Sequence, residues 1–227
     1  MQRSTFLVPI AIVIAGLLIS VGIFYARGGN NPVPNGNPEN VRPVSPEDHL
    51  IGNPDAPVII VEYSDIDCAY CKEFQATLTQ LMADHAQTGD VAWVYRHLPL
   101  VNAHPYAAEH AEAAECVAEQ GGNVLFFRFI DALQENAPGS FQSNPEDYLS
   151  IVESLGVSSA SFSECLQSDR MIDRVTKDFD NAIEAGANGT PYSVVLVRGS
   201  DPIPLSGALP YETMKRVLEE ALSRATR

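Results

Sequence analysis

The chain has 227 residues, 45% of them hydrophobic and 19% charged, with a formal net charge of −15 at pH 7. That is long and apolar enough for one folded domain with a full core. The acidity lies almost wholly beyond residue 48, since Arg3, Arg27 and Arg42 are matched earlier by Glu39, Glu47 and Asp48; so acidic a body argues against binding nucleic acid or anionic lipid through its surface.

Residues 6–26 read FLVPIAIVIAGLLISVGIFYA, nearly unbroken hydrocarbon. About 20 helical residues span roughly 30 Å, the apolar thickness of a bilayer. A cleaved signal peptide is the competing reading, but its weak small-x-small site at Ser20-Val21-Gly22 would cut inside the apolar run. Residues 1–27 are therefore expected to be an uncleaved signal anchor. Residues 28–48, rich in Gly, Pro and Asn, follow as an expected flexible linker, and the folded body is expected over 49–227.

Val58 to Tyr63 is continuously apolar until Glu62 and reads as a buried parallel strand. A helical pattern from about Cys68 to His85 follows, with Phe74, Leu78, Leu81 and Met82 on one face. Val91 to Tyr95 is the next strand, completing a β-α-β unit. From about 104 to 185 only helical segments occur, broken at Gly121-Gly122 and restarted at Pro145. Strand signal returns at Tyr192 to Val197, with a short hairpin partner at Ile203 to Ser206. A final amphipathic helix carries Met214, Val217, Leu218, Ala221 and Leu222 on one face. The order is β-α-β, an all-helical insert, then β-β-α: an α/β body of thioredoxin order with a helical domain inserted in it.

The chemistry concentrates in Cys68-Ala69-Tyr70-Cys71, placed where a strand turns into a helix. The free N–H groups and positive dipole end of that helix favour a thiolate on the first cysteine, and the thiolate is the reactive form. Two other readings compete, half of a zinc site and a plain structural disulfide. Zinc would need a second Cys/His pair at matching spacing, and Cys116 and Cys165 stand far apart without one. No cofactor or metal is expected.

Three segments carry a resemblance: Glu62-Tyr63-Ser64-Asp65-Ile66-Asp67 leading into the cysteines, Arg96-His97-Leu98-Pro99-Leu100 with His104-Pro105, and Gly186-Ala187-Asn188-Gly189-Thr190-Pro191. Together they resemble a membrane-anchored, DsbA-like thiol–disulfide oxidoreductase of the thioredoxin superfamily, over residues 49–222. The resemblance implies that Cys68 is the exchanging thiolate and that Cys71 resolves the mixed disulfide. It further implies a cis-proline at Pro191, which presents the backbone of Thr190 beside the sulfurs, and a buried acid at Glu62 that moves protons to and from Cys71. A second disulfide, Cys116–Cys165, is implied in the helical domain, against the alternative of two buried free thiols. One departure stands out. The dipeptide is Ala69-Tyr70, without the histidine of the best-known oxidant, and Asp65 and Asp67 beside Cys68 oppose its ionisation. The five histidines carry little signal: His97 and His104 read as capping or packing groups, and His49, His85 and His110 as incidental.

The function implied is an extracytoplasmic, single-pass membrane enzyme that forms disulfides in exported cysteine-containing proteins. Its implied electron acceptor is a quinone-linked membrane reoxidase, DsbB-like or vitamin K epoxide reductase-like. The rivals are a disulfide isomerase or reductase, and a redox-inactive tethered binding module.

Overall fold

A computed structural model describes residues 36–136 and 145–225. The apolar run at 6–26 lies outside them, as does most of the polar loop before Pro145. Among the described residues, no helix is long and apolar enough to cross a membrane.

Five strands form one mixed sheet in the order β1-β3-β2-β4-β5: β1 (His49–Gly52), β2 (Val58–Ser64), β3 (Val91–His97), β4 (Tyr192–Val197) and β5 (Ile203–Ser206). β2 runs parallel to β3, with Glu62 opposite Tyr95 and Ser64 opposite His97. It runs antiparallel to β4, with Tyr63 opposite Tyr192. The central strand is buried on both faces, which is why its sequence is a continuous apolar run instead of an alternation.

Successive side chains of a strand point to opposite faces. On one face Val58 and Ile60 pack with Trp93 and Tyr95, under α1 (Ala69–His85) and α6 (Tyr211–Ala225), through Phe74, Leu78, Met214 and Leu218. On the other, Val61 and Tyr63 meet Ala182 and Ala185 at the end of α5 (Ile172–Glu184).

The inserted helices are α2 (Ala107–Asn136), α3 (Pro145–Ser154), α4 (Ser159–Gln167) and α5. α2 breaks its helical geometry at Gly121 and Gly122, the dipeptide that the sequence reading made a helix end. Gly122 has φ +61°, a conformation glycine adopts without Cβ strain. The insert is tied to α1 by Lys72 Nζ donating to the Gln134 carbonyl at 2.8 Å and Gln75 Nε2 donating to Asp131 at 2.6 Å. A disulfide joins Cys116 on α2 to Cys165 on α4, with Cα atoms 5.7 Å apart.

The expected flexible linker does not hold for residues 36–48, which are part of the folded body. Asn37 N–H donates to the Glu184 carbonyl at 2.9 Å, and Asn181 Nδ2 donates to the Asn40 carbonyl at 2.8 Å. Arg42 pairs with Asp178 and Asp48 at 2.9 and 3.1 Å. Asp48 in turn accepts from the fully buried Arg96 at 2.8 and 3.1 Å, and this pairing outweighs burial to hold its carboxyl below the usual range. The segment docks mainly by backbone and charged groups, with only Val41 and Val44 packed against the core, so its composition resembles a tether. A second edge element, β1, was also unforeseen; it pairs antiparallel with β3 from His49 to Gly52.

Candidate active site

Cys68 is the N-cap of α1, immediately after the turn that leaves β2. Its backbone N–H bonds to the Asp65 carbonyl at 3.1 Å, and its own carbonyl accepts from Cys71 and Lys72 at 3.0 and 3.1 Å. This geometry fixes the sulfur at the positive end of the helix. Cys68 keeps 7% of its surface and Cys71 only 1%, while Tyr70 between them is 66% exposed. Both cysteines are free thiols.

The environments push the two thiols in opposite directions. A hydrogen bond from Cys71, then Thr190 and the N–H groups of Cys71 and Tyr70, overcome burial and bring Cys68 down to about 5. Burial, followed by the hydrogen bond with Cys68 and the Glu62 charge, drives Cys71 well above the ordinary thiol range. One thiolate and one buried thiol, held by mutual hydrogen bonding, is the arrangement that lets one sulfur exchange and the other resolve.

Thr190 comes from the loop before β4. Its carbonyl oxygen lies 3.7 Å from Cys68 Sγ, and the Thr190–Pro191 peptide is cis. Glu62 is fully buried on β2 beneath α1. Its Oε1 accepts from Ser64 Oγ at 2.8 Å and its Oε2 from Trp93 Nε1 at 3.0 Å. Burial outweighs these donors and raises its carboxyl to about 7. A carboxyl at that value exchanges protons near neutrality. Among the described residues, no cluster of His, Cys, Asp and Glu suits a metal ion.

The two aspartates beside Cys68 are not bare charges. Asp65 Oδ2 lies 2.9 Å from His104 Nδ1 and accepts from the Leu100 N–H at 2.8 Å. Its Oδ1 takes the Asp67 N–H at 2.9 Å. Asp67 Oδ1 is hydrogen-bonded to Nδ1 of the buried His110 on α2. His110 is therefore not incidental, nor is His104 only a packing group. His49 and His97 both bond to the buried Glu115 at 3.0 Å, so His49 too is a structural contact. The only sequence signal for the pairs near the site was chemical: acids flanking a reactive thiolate call for compensating donors.

A family model described as thioredoxin matches residues 44–220. Among solved structures, DsbA2 of Pseudomonas aeruginosa is 28% identical, with a TM-score of 0.62 over 78% of this chain and 96% of that one. BdbD of Bacillus subtilis in its oxidised form is 23% identical (TM-score 0.67, covering 78% and 93%). The alpha-DsbA1 of Wolbachia pipientis is 20% identical (0.70, covering 84% and 98%). Curated relatives include a Na(+)/H(+) antiporter NhaA 3 of Salinispora tropica, 38% identical over 150 residues, or 66% of this chain. Another is an NhaA antiporter of Herminiimonas arsenicoxydans, 33% identical over 186 residues. The chain spans only 22% and 27% of the length of those two antiporters, so the likeness concerns one part of each. With its paired thiols in this geometry, the chain belongs to the thioredoxin family and has a DsbA-like fold.

Proposed function

We propose that this chain is a thiol–disulfide oxidoreductase that works outside the cytoplasm as an oxidant, introducing disulfides into exported proteins. The observation that carries the reading is the placement of Cys68 Sγ at the N-terminus of α1, where the Cys71 thiol and the N–H groups of Tyr70 and Cys71 converge on it. Stabilising the thiolate stabilises the reduced enzyme, and an enzyme whose reduced form is favoured gives its disulfide away. In the forward direction a substrate thiolate attacks Cys68 Sγ of the Cys68–Cys71 bond, and Cys71 leaves and takes up a proton. The substrate's second thiolate then attacks its own sulfur in the mixed disulfide and expels Cys68 as thiolate. Two electrons pass from the substrate dithiol to the enzyme.

The apolar run at 6–26 supports a single-pass anchor that holds the body on the extracytoplasmic side, where disulfides persist. The electrons then need a membrane acceptor, and a quinone-linked reoxidase of DsbB-like or vitamin K epoxide reductase-like chemistry fits that place. Exposed Tyr70 and Val101 offer unfolded clients an apolar surface.

Equilibration of the Cys68–Cys71 pair with glutathione tests the direction of flow. A potential well above about −200 mV is expected, and one near about −270 mV would make the enzyme a reductant.

A further inference from the structure

Cys71 must lose a proton each time it attacks and regain one each time it leaves, yet it is sealed from bulk water at 1% exposure. Glu62 is the buried acid able to exchange that proton, and its Oε2 is already engaged by Trp93. Its other oxygen faces Ser64. Positions 62 and 64 lie on the same face of β2, under α1. From there Ser64 Oγ donates to Glu62 Oε1 at 2.8 Å, and a Ser64 hydrogen bond is also among the influences on the Cys71 thiol, where it opposes burial. The Asp65 N–H, 3.5 Å from Cys71 Sγ, helps fix the sulfur in that place. Tyr95, the register partner of Glu62 on β3, closes the other side as a fully buried ring.

We infer that the Ser64 hydroxyl is the relay through which the proton passes between Cys71 and Glu62. The inference rests on exchange through Cys68 and Cys71. When Cys71 resolves a mixed disulfide, its sulfur bonds to Cys68 Sγ and the substrate leaves as thiolate. The Cys71 proton passes to Ser64 Oγ as the hydroxyl's own proton passes to Glu62 Oε1, so serine ends neutral and glutamate protonated. When a substrate thiolate opens the Cys68–Cys71 bond, the same path runs backward and delivers the proton to the departing Cys71. No further oxidant or co-reactant enters the step. A hydroxyl suits this role because it donates and accepts at one atom. The ionisation of Glu62 near 7 keeps both of its forms populated at neutral pH.

The test compares Ser64→Val and Ser64→Thr, side chains of similar shape without and with the hydroxyl, both suited to a strand. Stopped-flow fluorescence of Trp93, the single tryptophan, follows reduction of the oxidised enzyme by a dithiol peptide from pH 5.5 to 9. The Val variant should react about 100-fold more slowly near neutrality, at the low end of general acid–base effects. It should also lose the rate change near pH 7, and the Thr variant should recover most of both. Alkylation of Cys68 should keep its ordinary pH profile in both variants, which separates proton relay from a distorted site. Equal rates and equal profiles for Val and Thr would overturn the relay. A wild-type enzyme that fails to exchange with the peptide would instead overturn the oxidant reading beneath it.

Discussion

His104 Nδ1 lies 2.9 Å from Asp65 Oδ2, so a histidine from the segment entering the insert sits on the acid that precedes the nucleophile's turn. Burial works against the cation, but the Asp65 hydrogen bond and charge, with Cys68 behind them, raise the His104 pKa overall. Interaction of charges is reciprocal: if the Cys68 thiolate favours the His104 cation, the cation favours the thiolate. The positive group missing from the Ala69-Tyr70 dipeptide is thus supplied from another part of the chain.

His104→Gln keeps a donor for Asp65 and removes the charge. The Cys68 ionisation should then move upward from about 5. Alkylation by iodoacetamide should be several-fold slower near pH 5 and unchanged at pH 8, where the thiolate dominates in both proteins. An unaltered curve would mean that His104 only holds the 98–104 loop.

The same thiolate sets how stability varies with pH. The folded pKa of Cys68 is depressed, so its contribution is fully present above the unfolded thiol value and is lost as pH falls through about 5. The disulfide form has no such group. The stability of the reduced protein relative to the oxidised one should therefore rise with pH between about 5 and 8, with a slope of up to about 1.4 kcal/mol per pH unit. Urea unfolding of both forms across that range measures it, and a flat difference would mean that the thiolate is not stabilised by folding.

What the sequence revealed followed from periodicity and local chemistry. β2, β3, β4 and α1 were legible because continuous apolar runs and a 3.6-residue stripe are local signals. The Cys68–Cys71 helix start was legible for the same reason. β1 was not, since His49–Gly52 has too few residues to show a period. Arg42 and Asn181 bind the 36–48 segment to α5 through contacts more than 130 residues apart in sequence, which composition cannot register. The His104–Asp65 and His110–Asp67 pairs were hidden likewise, because each joins the nucleophile's turn to residues brought near only by the insert.

The Cys116–Cys165 disulfide closes a separation of 49 residues. Replacing both cysteines by alanine should cost about 4 kcal/mol if the lost constraint acts on unfolded-chain entropy. It should leave exchange at Cys68 intact, because the N–H groups and the Cys71 thiol that favour the thiolate belong to α1. Chemical denaturation and a dithiol-peptide oxidation assay on the same double variant check the two halves. A folded double variant unable to oxidise the peptide would make the second pair part of the electron path.

Cys71→Ser removes the internal thiol able to displace a substrate from Cys68, while the serine keeps nearly the same volume in a site with 1% exposure. The helix N–H groups that favour the Cys68 thiolate remain, although the Cys71 hydrogen bond changes character. The variant should therefore still form adducts at Cys68 but release them only through the substrate's own second thiol. Covalent complexes with exported cysteine-containing proteins should accumulate several-fold over wild type and vanish on adding reductant. Cys68→Ser should give none, because the remaining sulfur is buried and its pKa is driven upward. Non-reducing gels of full-length protein expressed with its apolar N-terminal run provide the measurement. If Cys71→Ser is folded and exported yet carries no adducts, Cys68 does not engage exported proteins and the oxidant reading fails in favour of a tethered binding module.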